Sequence, residues 1–306
     1  VTGYSEVVKS VQSAGIPIDS PAISFKDKDL LYKQCCKYLK GLGVEEPVIK
    51  EAFVKATEEQ ENYGRTLASH NKQMLENARC NKRMTVLLAG RPYHTDMLIQ
   101  HKISDVLCDM GIDVISDDIV RGEGQKVENV HFLAQWSYPN RILEAAQWCA
   151  AQADDVQFVE LTSFGCGPDA FLVDEVRDVL IRSGKTFTLL KLDDINNVGS
   201  MKLRIRSLIE SMKLFHEHKT DRKVTNKPVA VAACNDNFKS KKILVPYFTP
   251  FISPLIPAIM RLAGYDVENL ALSNAESCEW GLKYANNEVC YPATLIVGDV
   301  IKAFKS

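Results

Sequence analysis

The sequence predicts an α/β protein with a doubly wound, mainly parallel sheet that follows an N-terminal helical section. From residue 84 onward, short apolar runs alternate with longer amphipathic segments, a pattern typical of parallel strands joined by crossover helices. Residues 1–83 place apolar side chains at a spacing of three to four, which predicts helix. The chain of 306 residues is 46% hydrophobic and 25% charged, an ordinary composition for a globular protein.

The helical section contains two predicted helices. The first covers residues 29–39 and is ended by Gly41 and Gly43, since glycine is favoured just beyond a helix end. The second is a long polar helix from Glu46 to about Ala78, with Pro47 in its first turn. We predict that this section ends near residue 83.

Residues 84–215 form the predicted α/β domain. Residues 117–139 form a long polar and aromatic connection, and connections of this length in compact domains often have a functional role. Strands are predicted at 84–89, 112–115, 156–161 and 186–190, and helices at 98–110, 140–151, 169–182 and 201–213.

A polar linker is predicted at residues 216–240 and a partial second α/β unit at 241–306. In that unit we expect a strand at 243–247, a helix at 256–262, a strand at 265–270 and a helix over 293–304. The first residues, Val1 to Glu6, include neither an initiator Met nor a signal peptide, so we expect a chain that has been processed or excised.

Charge and cysteine usage exclude several classes of protein. The net charge is −2, with 37 Lys+Arg against 39 Asp+Glu, so no basic excess indicates nucleic-acid binding. No apolar run approaches the roughly 18 residues of a membrane span. The nine cysteines include no CxxC pair, which argues against zinc-ribbon and thioredoxin-like sites. We expect a reducing, cytoplasmic location.

Cys166 lies in the most informative segment, Thr162 to Asp169, between a predicted strand and a predicted helix. Ligands of α/β folds bind at such positions, and a helix N-terminus favours a thiolate that can bind metal or act as a nucleophile. A small residue packed in a tight turn is the alternative. Cys290 also precedes a predicted helix, and Cys278 is a possible third thiol within another helix.

Arg91 and His94 follow the first predicted strand, where they could bind an anion and move a proton. Asn140 and Arg141 begin the helix predicted at 140–151 and could line a pocket; the alternative is that these side chains only tie loops and cap the helix. We expect Arg91, His94 and Cys166 to open onto one cleft at the carboxyl edge of the sheet. No GxxxxGK[ST] or GxGxxG nucleotide loop is present after a strand.

Several motifs together resemble the large CoA-substrate-specific enzyme activases, relatives of the 2-hydroxyacyl-CoA dehydratase activators. The resemblance covers roughly residues 20–306. The motifs are Leu88-Ala89-Gly90-Arg91-Pro92-Tyr93-His94-Thr95-Asp96, Trp136-Ser137-Tyr138-Pro139-Asn140-Arg141, Ser163-Phe164-Gly165-Cys166-Gly167-Pro168-Asp169, Leu189-Leu190-Lys191-Leu192-Asp193, Arg204-Ile205-Arg206-Ser207-Leu208, and the stretch from Gly281 to Pro292.

The resemblance implies an iron–sulfur redox module that delivers low-potential electrons in anaerobic metabolism. It implies a [4Fe–4S] cluster in the full-length protein, with Cys166 and Cys290 as ligands and a third ligand beyond Ser306, so we expect this internal fragment alone to lack a complete cluster. The implied partners are an ATPase module of the same full-length protein and an acyl-CoA dehydratase or reductase. Two alternatives stay open: a metal-free scaffold that docks a partner enzyme, and a thiol enzyme with Cys166 as nucleophile and His94 as base.

Overall fold

The computed structural model divides into two compact units, residues 1–66 and 67–306. It describes residues 4–12, 15–25, 27–122, 127, 136–163, 167–192, 198–218, 239–285 and 289–305. The finer predicted boundaries at residues 83, 215 and 240 remain predictions. Within the predicted linker, residues 216–218 are helical, and residues 219–238 lie outside the described part of the chain.

The first unit is helical, which confirms the predicted N-terminal section. It contains α1 (Tyr4–Val11), α2 (Lys28–Gly41) and the beginning of α3 (Glu46–Cys80). The carboxylate of Asp27 accepts a 2.7 Å hydrogen bond from the Leu30 amide, so it caps a free N–H group at the start of α2. The rings of Tyr32 and Phe53 pack edge to face at 5.1 Å between centroids.

Four parallel strands form the main sheet of the second unit, in the order β2-β1-β3-β4. The strands are β1 (Thr85–Gly90), β2 (Asp113–Ser116), β3 (Val156–Thr162) and β4 (Phe187–Lys191). β1 pairs with β2 on one side and with β3 on the other. The chain therefore reverses its direction of winding between β1 and β3, and this position is the topological switch point of the sheet.

Helices α4 (Ile103–Asp109), α5 (Ser137–Ala150), α6 (Gly167–Arg182) and α7 (Val198–His218) connect or follow these strands. Alternate residues of each strand enter two separate cores, because side chains point to opposite faces of a sheet. α5 and α6 pack with Leu87 and Phe158 on one face, whereas α4 and α7 pack with Val86 and Val159 on the other. The predicted doubly wound parallel sheet is confirmed.

The fourth helix is shorter than predicted. We expected helix over residues 98–110, but α4 begins at Ile103. The backbones of His101 and Lys102 are left-handed, with φ of 52° and 57°, and this conformation interrupts a right-handed helix. The carboxylate of Asp96 instead accepts hydrogen bonds from the amides of Leu98 and Ile99, which favours a turn there.

The C-terminal part contains a separate sheet of two parallel strands, β5 (Lys242–Val245) and β6 (Asp266–Asn269). α8 (Leu255–Leu262) connects the two strands, and α9 (Ala275–Tyr284) and α10 (Tyr291–Lys305) follow. α9 and α10 approach each other very closely. A Cβ atom on Gly281 would lie 2.1 Å from the Thr294 carbonyl oxygen, and one on Gly298 would lie 1.7 Å from that of Ser277.

Candidate functional site

A cavity of about 230 Å³ opens at the carboxyl ends of β1, β2 and β3. This is the edge of a doubly wound sheet where ligands bind. Apolar residues from the ends of the three strands line it together with eight polar residues. The polar residues are Asn71, Arg91, His94, Thr95, Gln100, Ser104, Ser116 and Asp117.

Arg91 is held at the switch point by an ion pair with Asp169, the third residue of α6. The guanidinium also lies 4.9 Å from the ring centroid of Tyr138, and the Tyr138 hydroxyl donates a 3.4 Å hydrogen bond to Asp169. Because both charged groups are largely buried, the pair is stable only if the two charges remain together. The contact therefore fixes the β1 loop against the beginning of α6.

His94 is buried and has a defined hydrogen-bonding role. Its Nδ1 accepts a 3.0 Å bond from the Arg91 backbone N–H, and its Nε2 lies 2.9 Å from Oγ of Ser163. Burial, followed by the repulsion from Arg91, lowers the pKa of His94 from 6.5 to about 4. The imidazole is therefore neutral at pH 7, and because Nδ1 is an acceptor, Nε2 carries the proton.

This tautomer makes His94 a hydrogen-bond donor to Ser163. A general base would need a free lone pair on the nitrogen that faces the group to be deprotonated, and the Nδ1 lone pair is used by Arg91. The arrangement opposes the alternative in which His94 serves as a base. The close packing also explains Gly90, since a Cβ there would lie 2.6 Å from Nδ1 of His94.

Asp117 follows β2 on the other side of the cavity. Its Oδ2 accepts a 2.9 Å bond from Nε of Arg141, and burial raises its pKa while Arg141 opposes that effect. Arg141 therefore contacts Asp117, which is one of the residues that line the cavity. Asn140, its neighbour on α5, is half-buried. The predicted pocket-lining role of Asn140 and Arg141 stays a prediction.

The predicted metal ligands are only partly described. Cys290 immediately precedes α10 and is half-buried, and Cys278 on α9 is also half-buried. The Tyr291 hydroxyl donates to Sγ of Cys278 at 3.4 Å. Cys166 lies outside the described residues. Within the described ranges, no group of three or more His, Cys, Asp or Glu side chains could hold a metal ion, so these residues alone fit only part of a cluster ligand set.

Glu160 is a buried carboxyl group that sequence reasoning missed. The residue lies on β3 and is 2% exposed. Among the described residues, its Oε2 has no hydrogen-bond partner. Burial, then repulsion by Asp169, raises its pKa from 4.5 to about 8. A charged residue inside the run Val156–Leu161, in which only Gln157 is also polar, is the signal that could have identified it.

Ser163, Asp169 and Asp117 were also missed as site residues. Each lies just after a strand or at the beginning of a helix, as Arg91 and His94 do. Their position at strand ends was the available signal. Their contacts link segments that are 69 and 78 residues apart for His94–Ser163 and Arg91–Asp169, and sequence spacing does not encode such contacts.

The fold and the position of these side chains define the class of the protein. It is a doubly wound α/β protein with polar side chains at the topological switch point, where proteins of this fold bind ligands. Residues 1–120 match the protein family described as "CoA enzyme activase uncharacterised domain". This match supports the resemblance to CoA enzyme activases, and the motif at residues 88–96 lies within the matched range. Neither the curated proteins nor the solved structures gave a match.

None of the helices in the described ranges combines the length and the apolar character that crossing a membrane requires.

Proposed function

We propose that the chain is an iron–sulfur redox module of an ATP-driven activase that serves 2-hydroxyacyl-CoA dehydratase-type enzymes. The observation that carries the proposal is the CoA enzyme activase domain at residues 1–120. A [4Fe–4S] cluster would supply one-electron transfer when bound. The chain's own contribution would be thiolate ligands, burial and hydrogen bonds near the sulfur atoms.

Cys290 suits a ligand role by its position. Its carbonyl oxygen accepts a 3.0 Å bond from the Thr294 amide, so the residue occupies the cap position of α10. The positive end of the helix dipole favours a thiolate there. Cys278 is a further candidate, because the hydroxyl of Tyr291, the residue after Cys290, donates to its sulfur.

Cys166 is the second proposed ligand. It directly precedes Gly167, the first residue of α6, so the same dipole argument applies. Ser163, three residues earlier, receives the His94 hydrogen bond and can donate its own hydroxyl proton onward. The remaining ligands would come from Cys278 or from another part of the full-length protein.

ATP hydrolysis would take place in a separate ATPase module of the full-length protein, since the sequence contains no P-loop pattern. The electron acceptor would be an acyl-CoA dehydratase or reductase. A reducing cytoplasmic location is part of the proposal, because the free thiols would have to remain reduced.

The test is anaerobic reconstitution of the full-length protein with iron and sulfide, followed by the absorption spectrum near 400 nm and electron paramagnetic resonance of the reduced protein. We expect a cluster signal that is lost in Cys166→Ser and in Cys290→Ser. Cys80→Ser is the matched control, because Cys80 is an exposed thiol at the end of α3. An unchanged signal in both ligand variants would overturn the assignment.

A metal-free scaffold is the second candidate, and an exposed apolar surface favours it. We call the surface formed by α8 and the turn before it the α8 surface. Exposed apolar patches on a protein surface often mark sites where a partner binds. Its side chains, each more than half exposed, are Phe248, Phe251, Ile252, Leu255, Ile259 and Leu262.

The scaffold candidate predicts that the purified dehydratase partner binds the chain in the absence of iron. The double variant Leu255→Asp/Ile259→Asp should abolish that binding, since the two residues lie one helical turn apart on α8. Binding that requires a reconstituted cluster would exclude the scaffold candidate and favour the redox module.

A further inference from the structure

We propose that the cavity at the carboxyl ends of β1, β2 and β3 binds an uncharged small molecule that bears an amide or hydroxyl group. The inference is independent of the iron–sulfur proposal, because it uses only residues that line this cavity. It rests on two buried polar side chains whose free atoms face the cavity and on the balance of charge around it.

Gln100 supplies a hydrogen-bond donor. The residue is 5% exposed, and its Oε1 accepts a 3.2 Å bond from the Ser104 amide, which orients the carboxamide. Within the described part of the chain, Nε2 makes no hydrogen bond, and Gln100 is one of the residues that line the cavity. This NH₂ group is therefore accessible from the cavity, and a buried donor costs free energy unless it finds an acceptor.

Asp117 supplies an acceptor. The residue is 3% exposed, and Arg141 occupies only Oδ2. Oδ1 has no hydrogen-bond partner among the described residues, and Asp117 lines the cavity. A carboxylate oxygen at the end of the second strand of a doubly wound sheet suits an O–H or N–H donor of a ligand.

The charges around the cavity favour a neutral ligand. Arg91 and Asp117 are its two charged lining residues in the described ranges. Arg91 pairs with Asp169, and Asp117 pairs with Arg141. His94 is neutral because it accepts at Nδ1. An anionic ligand would thus enter without a counter-charge, and its desolvation would oppose binding. The apolar lining of Leu88, Ala89, Val114, Ile115 and Leu161 favours the carbon skeleton.

Pantothenyl alcohol and pantothenate are a suitable pair of probes, since both carry an amide and hydroxyl groups, and pantothenate has a carboxylate where the alcohol has a terminal CH₂OH. Binding to the full chain is measured by ligand-observed saturation-transfer NMR at millimolar concentration. We expect saturable binding of the alcohol, and binding of the carboxylate that is about tenfold weaker or more.

Gln100→Met keeps the size of the side chain and removes the donor, so it should weaken binding of the alcohol by roughly five- to tenfold. Gln73→Met is the matched control, because Gln73 is exposed on α3, and it should leave binding unchanged. Ser104→Leu, at a half-exposed position that lines the cavity, should block the cavity and serves as the second variant if Gln100→Met does not fold. Absence of saturable binding, equal binding of both probes, or binding that survives Gln100→Met and Ser104→Leu would overturn the proposal.

Discussion

His94 and Glu160 are two buried ionisable residues that make the stability of the protein depend on pH in opposite directions. His94 has both ring nitrogens in hydrogen bonds, whereas Oε2 of Glu160 has no partner in the described chain. Burial favours the neutral form of each group. The neutral imidazole is the deprotonated form and the neutral carboxyl is the protonated form, so acid affects the two residues in opposite directions.

The folded pKa of His94, about 4, lies below its ordinary value of 6.5. The unfolded chain therefore binds the proton first, and the free energy of unfolding falls as the pH decreases from 6.5 to 4. We expect this residue to account for a loss of roughly 3 kcal/mol. His94→Asn should reduce the loss, as measured by urea unfolding at several pH values.

Nitrogen-15 NMR of the ring gives an independent readout, with the His94 signals assigned by their loss in His94→Asn. At pH 7 the spectrum should report a neutral imidazole protonated at Nε2. An imidazolium signal at pH 7, or the Nδ1-protonated tautomer, would contradict the proposed donor role.

Glu160 has a folded pKa of about 8, above its ordinary value of 4.5. The folded state retains the proton while the unfolded state releases it, so stability is lost as the pH rises from 4.5 to 8. Glu160→Gln should therefore stabilise the protein at pH 7, by up to roughly 3 kcal/mol. Glu279→Gln, at an exposed position on α9, should change little. A destabilised Glu160→Gln would indicate that the native carboxylate is ionised and bound to a partner.

Individual site residues could be predicted only where their position in the sequence was informative. Arg91 and His94 were selected because they follow an apolar run that ends in Gly90. Ser163 and Asp169 occupy equivalent positions after β3, but their role depends on contacts with Arg91 and His94 across the sheet. Such contacts depend on strand order, which the sequence pattern does not specify.

At the scale of elements, the strands were predicted well because their apolar runs are short and end at glycine, proline or polar residues. The beginning of α4 was predicted five residues too early, because Leu98 and Ile99 continue the apolar pattern into a turn. The left-handed residues His101 and Lys102 carry no strong sequence signal, since neither is glycine.

The close crossing of α9 and α10 depends on two glycines. A Cβ on Gly281 or Gly298 would overlap a backbone carbonyl of the opposite helix, which cannot move as a flexible side chain does. Gly281→Ala and Gly298→Ala should each destabilise the protein by about 2 kcal/mol or more, as measured by thermal and urea unfolding.

Gly41→Ala is the control for these two variants. Gly41 ends α2, and a Cβ there meets no atom within 4 Å. Alanine is a better helix former than glycine by up to about 1 kcal/mol, so this variant should be neutral or stabilised. Equal tolerance of alanine at all three positions would contradict the close packing of α9 on α10.

At the scale of the whole molecule, the sequence motifs indicated a resemblance to CoA enzyme activases, and the match of residues 1–120 to that family's domain supports it. The doubly wound sheet was predictable because alternation of strand and helix determines its class. The proposed cluster site was less predictable. Its proposed ligands, Cys166 and Cys290, are 124 positions apart in the sequence (290 − 166 = 124), and softness of a thiolate does not depend on sequence proximity.

The central claim is that this chain takes part in binding an iron–sulfur cluster through Cys166 and Cys290. Its most direct test is the iron and acid-labile sulfide content of the full-length protein isolated without oxygen, beside the Cys166→Ser/Cys290→Ser double variant. We expect about four iron and four sulfide per chain or per shared site, and a loss of both in the double variant with its fold intact by circular dichroism. An iron-free full-length protein, or an unchanged iron and sulfide content in the double variant, would contradict the claim.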